Sequence, residues 1–155
     1  MNVNSRLFVS GFFLFAVSTA LMFAAPLFLK TSAQTAKQIS VAGREDAYRA
    51  NNLGVARLEQ FDYKAGAESF RRALTIDSKL IIARINLAIA LFNAQEIDAA
   101  LKEAQAAAEI APERPQSHYI LGLIAKNQNR AEDAAASFKR VLEIDPNDVG
   151  ANVNL

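Results

Sequence analysis

The feature that most constrains this chain is a step of 34 residues. Leu53-Gly54, Leu87-Ala88 and Leu121-Gly122 recur at that spacing, followed in register by Gly66, Ala100 and Ala134 and then by Phe70, Ala104 and Phe138. Ala73, Ala107 and Val141 come next, and Ser78, Pro112 and Pro146 close the series. Self-similarity at a fixed period of this length marks a stacked-repeat architecture, in which no unit can bury its apolar face alone and neighbours complete the core. Such a chain is expected to be a binding scaffold, and the repeat itself does not say what it binds.

Within each period the apolar and small residues fall at helical spacing, twice over. Ala47 to Gln60 carries Ala50, Leu53, Gly54 and Leu58 on one stripe; Phe61-Asp62 interrupts it, and Tyr63 to Ile76 resumes with Ala67, Phe70, Ala73 and Leu74. The same two-helix unit follows as 80–93 with 97–110, and again as 115–128 with 131–144. Ala111-Pro112 and Asp145-Pro146 end units, because the residue before a proline is pushed out of the helical region. Pro115 opens a helix, where its missing donor costs nothing. Gly54 with Gly66, Ala88 with Ala100, and Gly122 with Ala134 are expected to let the paired helices approach closely. Leu53, Leu87 and Leu121, with Phe70 and Phe138, are expected to fill the space between units.

These residues resemble the tetratricopeptide repeat family in three units, 47–80, 81–114 and 115–148, and the endings Ile76-Asp77-Ser78, Ile110-Ala111-Pro112 and Ile144-Asp145-Pro146 fit its pattern. Ala50, Arg84 and His118 stand where the family often has Trp, and Arg57, Leu91 and Ala125 where it often has Tyr. The resemblance implies an all-α, right-handed superhelical solenoid whose concave face is lined by the first helix of each unit. By matching position, the partner-binding residues would be Tyr48, Asn51, Asn52, Val55, Ile82, Ile85, Asn86, Ile89, Gln116, Tyr119, Ile120, Leu123 and Lys126. A groove that is apolar in its middle with Asn and Tyr around it suits an extended or helical peptide. Some members of the family clamp the carboxylate tail of heat-shock chaperones with basic and Asn side chains. The corresponding residues here are Asn51, Val55, Asn86, Gln116 and Ile120, of which Asn86 alone is of the right kind.

Ahead of the repeats, Leu7 to Leu29 is an uncharged apolar run of 23 residues between Arg6 and Lys30. As a helix it would span about 35 Å, enough for a hydrocarbon core of roughly 30 Å. Residues 1–30 therefore read as one apolar helix, either a cleavable leader cut after Thr31-Ser32-Ala33 or an uncleaved signal-anchor, with length favouring the anchor. Both place the repeats on the extracytoplasmic side, in a bacterial envelope. Residues 31–46 are small, polar and non-periodic, a linker.

Charge and residue content narrow the chemistry. All 16 acidic residues lie at Glu45 or later, whereas the first 44 residues carry only Arg6, Lys30, Lys37 and Arg44. The repeats are thus slightly acidic, which excludes a nucleic-acid footprint. With no cysteine, disulfides, thiolate metal sites and a cysteine nucleophile are excluded. His118 is the single histidine and has no ligand or base partner one turn away, so it reads as a residue packed between helices. Glu132-Asp133 fits the positive end of a helix dipole. No phosphate loop or Ser/His/Asp set is present, and no cofactor is expected.

Asn154-Leu155 stands in register with Asn52-Leu53 and Asn86-Leu87, so 149–155 begins a fourth unit. A helix that short does not hold itself in water, and its open edge would offer a surface for self-association. The expectation is a non-catalytic scaffold that continues beyond Leu155, with an accessory repeat region of a larger exported enzyme as the alternative.

Overall fold

A computed structural model describes residues 39–155, so the apolar segment 1–30 and the first part of the linker lie outside the described residues. The described residues form seven helices and no strand: α1 Val41–Glu59, α2 Tyr63–Ile76, α3 Ile81–Asn93, α4 Ile97–Ile110, α5 Pro115–Asn127, α6 Ala131–Ile144 and α7 Val149–Asn154. None of them is long and apolar enough to cross a membrane. Helix α1 starts at Val41 rather than Ala47, which corrects the reading of 41–46 as linker. Ser40 caps it, accepting the Gly43 N–H at 3.0 Å.

Each hairpin turn repeats one piece of backbone chemistry. Phe61, Gln95 and Asn129 adopt φ of 59°, 65° and 57°, at the 34-residue step. Around them the Asp62, Glu96 and Arg130 amides donate to the carbonyls of Arg57, Leu91 and Ala125, each at 2.9 Å, while the amides of Phe61, Gln95 and Asn129 donate to Leu58, Phe92 and Lys126. This is the Schellman arrangement, which satisfies helix-end carbonyls by turning one residue left-handed. Glycine ordinarily takes that position; here none of the three is glycine.

Within hairpins the closest approach is between a helix backbone and an aromatic ring. A Cβ added to Gly54 would lie 2.5 Å from the Phe70 ring, and one added to Gly122 would lie 2.7 Å from the Phe138 ring. Both rings are fully buried. In the middle hairpin the same two positions are Ala88 and Ala104, also fully buried. The residue facing the ring is the smallest available: glycine stands opposite phenylalanine in the outer hairpins and alanine opposite alanine in the inner one. The glycine notch therefore accommodates the ring, and the Gly54–Gly66 approach is secondary, with the Gly54 carbonyl 3.3 Å from a Cβ on Gly66.

Three overlapping clusters make the core rather than one centre. Ala47, Ala50, Ala73 and Ala83 join α1, α2 and α3; Phe70, Leu87, Leu91, Ala104 and Ile124 run from α2 to α5; Ala125, Phe138, Val141 and Ala151 join α5, α6 and α7. Each hairpin shares its core with the next, as a solenoid requires. Leu87 is buried between units, but Leu53 is 48% exposed. The expectation that Leu53 fills an inter-unit space is corrected for this reason: no described helix precedes α1 to cover it.

Short as it is, α7 is held on the row by its packing. Ala151 is fully buried against α5 and α6, and Asp148 caps the helix by accepting the Ala151 N–H at 2.6 Å.

Candidate binding groove

The first helices of successive hairpins touch one another, α1 with α3 and α3 with α5, whereas the second helices are kept apart. The row therefore curves with α1, α3 and α5 on its inner side, the side the matched positions occupy.

Those positions divide into two groups. Asn51, Ile85 and Ile120 are 5%, 1% and 2% exposed; Asn51 and Ile85 are corrected from partner-binding to joining residues, because positions 35 apart face each other across adjacent first helices, while Ile120 keeps a place in the groove's lining. Asn86 Nδ2 donates to Asn51 Oδ1 at 3.0 Å, and Asn51 Nδ2 to Asn52 Oδ1 at 3.3 Å. One unit pair further on, Asn154 Nδ2 reaches the Tyr119 hydroxyl at 3.5 Å. Between these polar rungs stand Ile85 and Ile120. The second group reaches solvent: Tyr48, Asn52, Gln116 and Lys126 are exposed, and Val55, Ile82, Asn86, Ile89, Tyr119 and Leu123 are half-buried.

Four of the matched residues in that second group meet in one cleft of about 440 Å³, where Ile89, Gln116, Tyr119 and Leu123 join the buried Ile120. Its size falls within the ~300–1,000 Å³ of ordinary ligand pockets. The remaining lining is Phe92, Asn93, Pro115, Asp145, Asp148 and Gly150, which position-matching on the first helices did not identify. Phe92 was within reach of the repeat step, being one period before Lys126. Asp145 and Asp148 lie at the α6–α7 turn, outside the helices to which the matching was applied. Tyr48, Asn52, Val55, Ile82, Asn86 and Lys126 lie outside the cleft.

Packing fixes the cleft's aromatic wall. The Tyr119 ring sits edge-on to Phe138, centroids 5.5 Å apart. A Cβ on Gly150 would come within 2.8 Å of its hydroxyl and Cε2, so α7 closes over Tyr119 only because residue 150 has no side chain. Lys126 Nζ donates to Asn154 Oδ1 at 2.8 Å, which draws the one cationic residue of the matched set toward α7.

Charge elsewhere is mostly structural. Arg84 meets Glu103 at 2.7 Å across the middle hairpin, both about one-fifth exposed, where the family's bulky residue would stand. Arg140 bridges Glu143 at 2.9 Å and Glu113 at 3.2 Å, and its pKa is raised chiefly by the hydrogen bond to Glu143. His118 is not simply packed between helices: its Nε2 lies 2.9 Å from the Pro112 carbonyl, tying the α4–α5 turn. Glu132 and Asp133 occupy the first turn of α6 as expected. Among the described residues no group of three His, Cys, Asp or Glu is placed to hold a metal.

Comparison with known proteins agrees with this architecture. Tetratricopeptide-repeat family models match residues 85–149 and 48–80. No curated protein matches the chain in sequence. Among solved structures, the tetratricopeptide domain of Arabidopsis OM64 is 18% identical, covering 72% of this chain and 93% of that one with a TM-score of 0.70. The first such domain of Spaghetti (RPAP3), bound to the HSP90 peptide SRMEEVD, is 20% identical over 72% of this chain and 89% of its own, TM-score 0.70. The second such domain of human RPAP3, in complex with the HSP70 peptide SGPTIEEVD, is 18% identical over 73% and 94%, TM-score 0.68. Residues 48–80 and 85–149 are tetratricopeptide repeats, stacked here as three hairpins followed by the short helix α7.

Proposed function

We propose that the chain is a non-catalytic scaffold that holds a segment of a partner protein along its inner face. The observation that carries this reading is the cleft, which spans two successive hairpins and the fourth first-helix and joins an apolar floor to flanking amides at Asn93 and Gln116. An apolar groove flanked by placed amides suits an extended or helical peptide, whose side chains enter the floor while the amides hold its backbone. That solved relatives hold peptides adds to the argument by analogy. A photo-crosslinking amino acid in place of Ile89 or Leu123, compared with one at the exposed Gln105 of α4, tests it in the native host. Discrete adducts from the inner positions alone are expected; equal capture from Gln105, or none from the inner positions, refutes it.

The same proposal places the repeats outside the cytoplasm, tethered or released, and rests there on the apolar run Leu7 to Leu29 between Arg6 and Lys30. Protease digestion of the repeats in spheroplasts, whose outer membrane is opened, compared with lysed cells, tests the placement; repeats retained in spheroplasts and protected until lysis refute it.

A further inference from the structure

We infer that the cleft selects a peptide in which an apolar side chain adjoins a lysine or arginine, and that it disfavours acidic tails. The inference rests on the inner-face reading above and adds the chemistry of the occupant. The floor, formed by Ile89, Phe92, Tyr119 and Leu123, takes the apolar side chain. Asp145 and Asp148 stand at the rim. One oxygen of each is committed to local backbone, Asp145 Oδ1 accepting the Asn147 N–H at 3.1 Å and Asp148 Oδ1 the Ala151 N–H at 2.6 Å. The second oxygen of each accepts no hydrogen bond among the described residues, and no described ion pair reaches either carboxylate. Two formal negative charges beside an apolar floor, with no lysine or arginine in the lining, form a potential that a cationic side chain complements and a carboxylate opposes. The peptides SRMEEVD and SGPTIEEVD of the two solved relatives are acidic at their ends; the lining of this cleft supplies neutral amides and carboxylates where such ends need cations.

Three fluorescein-labelled peptides distinguish the terms by polarisation against the full chain: a Leu-Lys-Leu-Arg core, a Leu-Glu-Leu-Asp core and a Ser-Lys-Ser-Arg core. The first is expected to bind about tenfold or more tighter than either other, with affinity falling as salt rises. The double substitution Asp145→Asn, Asp148→Asn should reduce that affinity about tenfold without changing the helical spectrum, since Asn caps helices as well as Asp. Equal or tighter binding of the acidic core overturns the inference, as does an unchanged affinity in the doubly substituted chain. If no core binds while crosslinking at Ile89 succeeds, the occupant's chemistry is wrong and the inner-face reading stands. Failure of both removes the two together.

Discussion

Replacing Gly122 with Ala should destabilise the native chain yet stabilise it once Phe138 is Ala. In the native hairpin the new Cβ would lie 2.7, 2.8 and 3.0 Å from Cε1, Cζ and Cδ1 of Phe138. The ring cannot swing aside, being fully buried and braced edge-on by Tyr119. Overpacking of this kind costs about 1–3 kcal/mol, offset by about 1 kcal/mol for Ala over Gly inside a helix. The net expectation is a loss of up to about 2 kcal/mol. Phe138→Ala alone should cost about 3–5 kcal/mol, by lost burial and the cavity left. In that background a Cβ at residue 122 meets no ring, so Gly122→Ala should now gain about 1 kcal/mol. The coupling between the sites is therefore about 1–3 kcal/mol, and the doubly substituted hairpin reproduces the Ala88–Ala104 pairing of its neighbour. Urea unfolding of the four chains, followed by far-ultraviolet circular dichroism, measures each step. A Gly122→Ala effect of the same sign in both backgrounds would refute complementary packing as the reason for the glycine.

Further outcomes follow from the left-handed turns and from two ion pairs. Gln95→Gly should raise stability by about 0.5–1 kcal/mol, since a left-handed non-glycine residue costs about 1–2 kcal/mol and the extra freedom of glycine when unfolded returns part of it; a thermal melt reads this, and Asn129→Gly should gain less because Asn tolerates that conformation. Glu103→Ala should cost about 1.5–3 kcal/mol by stranding the half-buried Arg84 guanidinium, whose Nε already has no partner. Glu143→Ala, on the surface, should cost about 0.5 kcal/mol or less in the same urea assay.

Much of the architecture was legible from the 34-residue step, because glycine, alanine and phenylalanine mark where backbones meet and a repeat multiplies the signal. The start of α1 was not legible: its first turns are mostly exposed, so no apolar stripe announces them, and the Ser40 cap is a single residue. Nor were the left-handed turns, since Phe61, Gln95 and Asn129 lack the glycine that usually advertises one. On the inner face, position-matching located the right helices but could not separate Ile85, spent on joining units, from Ile89, which reaches the cleft. That distinction depends on how closely neighbouring first helices approach, a property of the stack rather than of any one unit. The carboxylates at Asp145 and Asp148 escaped for the complementary reason, since they belong to the turn between α6 and α7 and not to a first helix.

The glycine–ring and alanine–alanine contacts lie inside hairpins, whereas adjacent first helices are joined on the inner side by the Asn51–Asn86 hydrogen bond, the longer Tyr119–Asn154 one and the buried Ile85 and Ile120. One buried cluster also runs from α2 to α5, so each hairpin leans on the apolar side chains of the next. A peptide lying lengthwise across α3, α5 and α7 would touch neighbours that already share a core, so its grip would be passed along the row rather than ending at one hairpin.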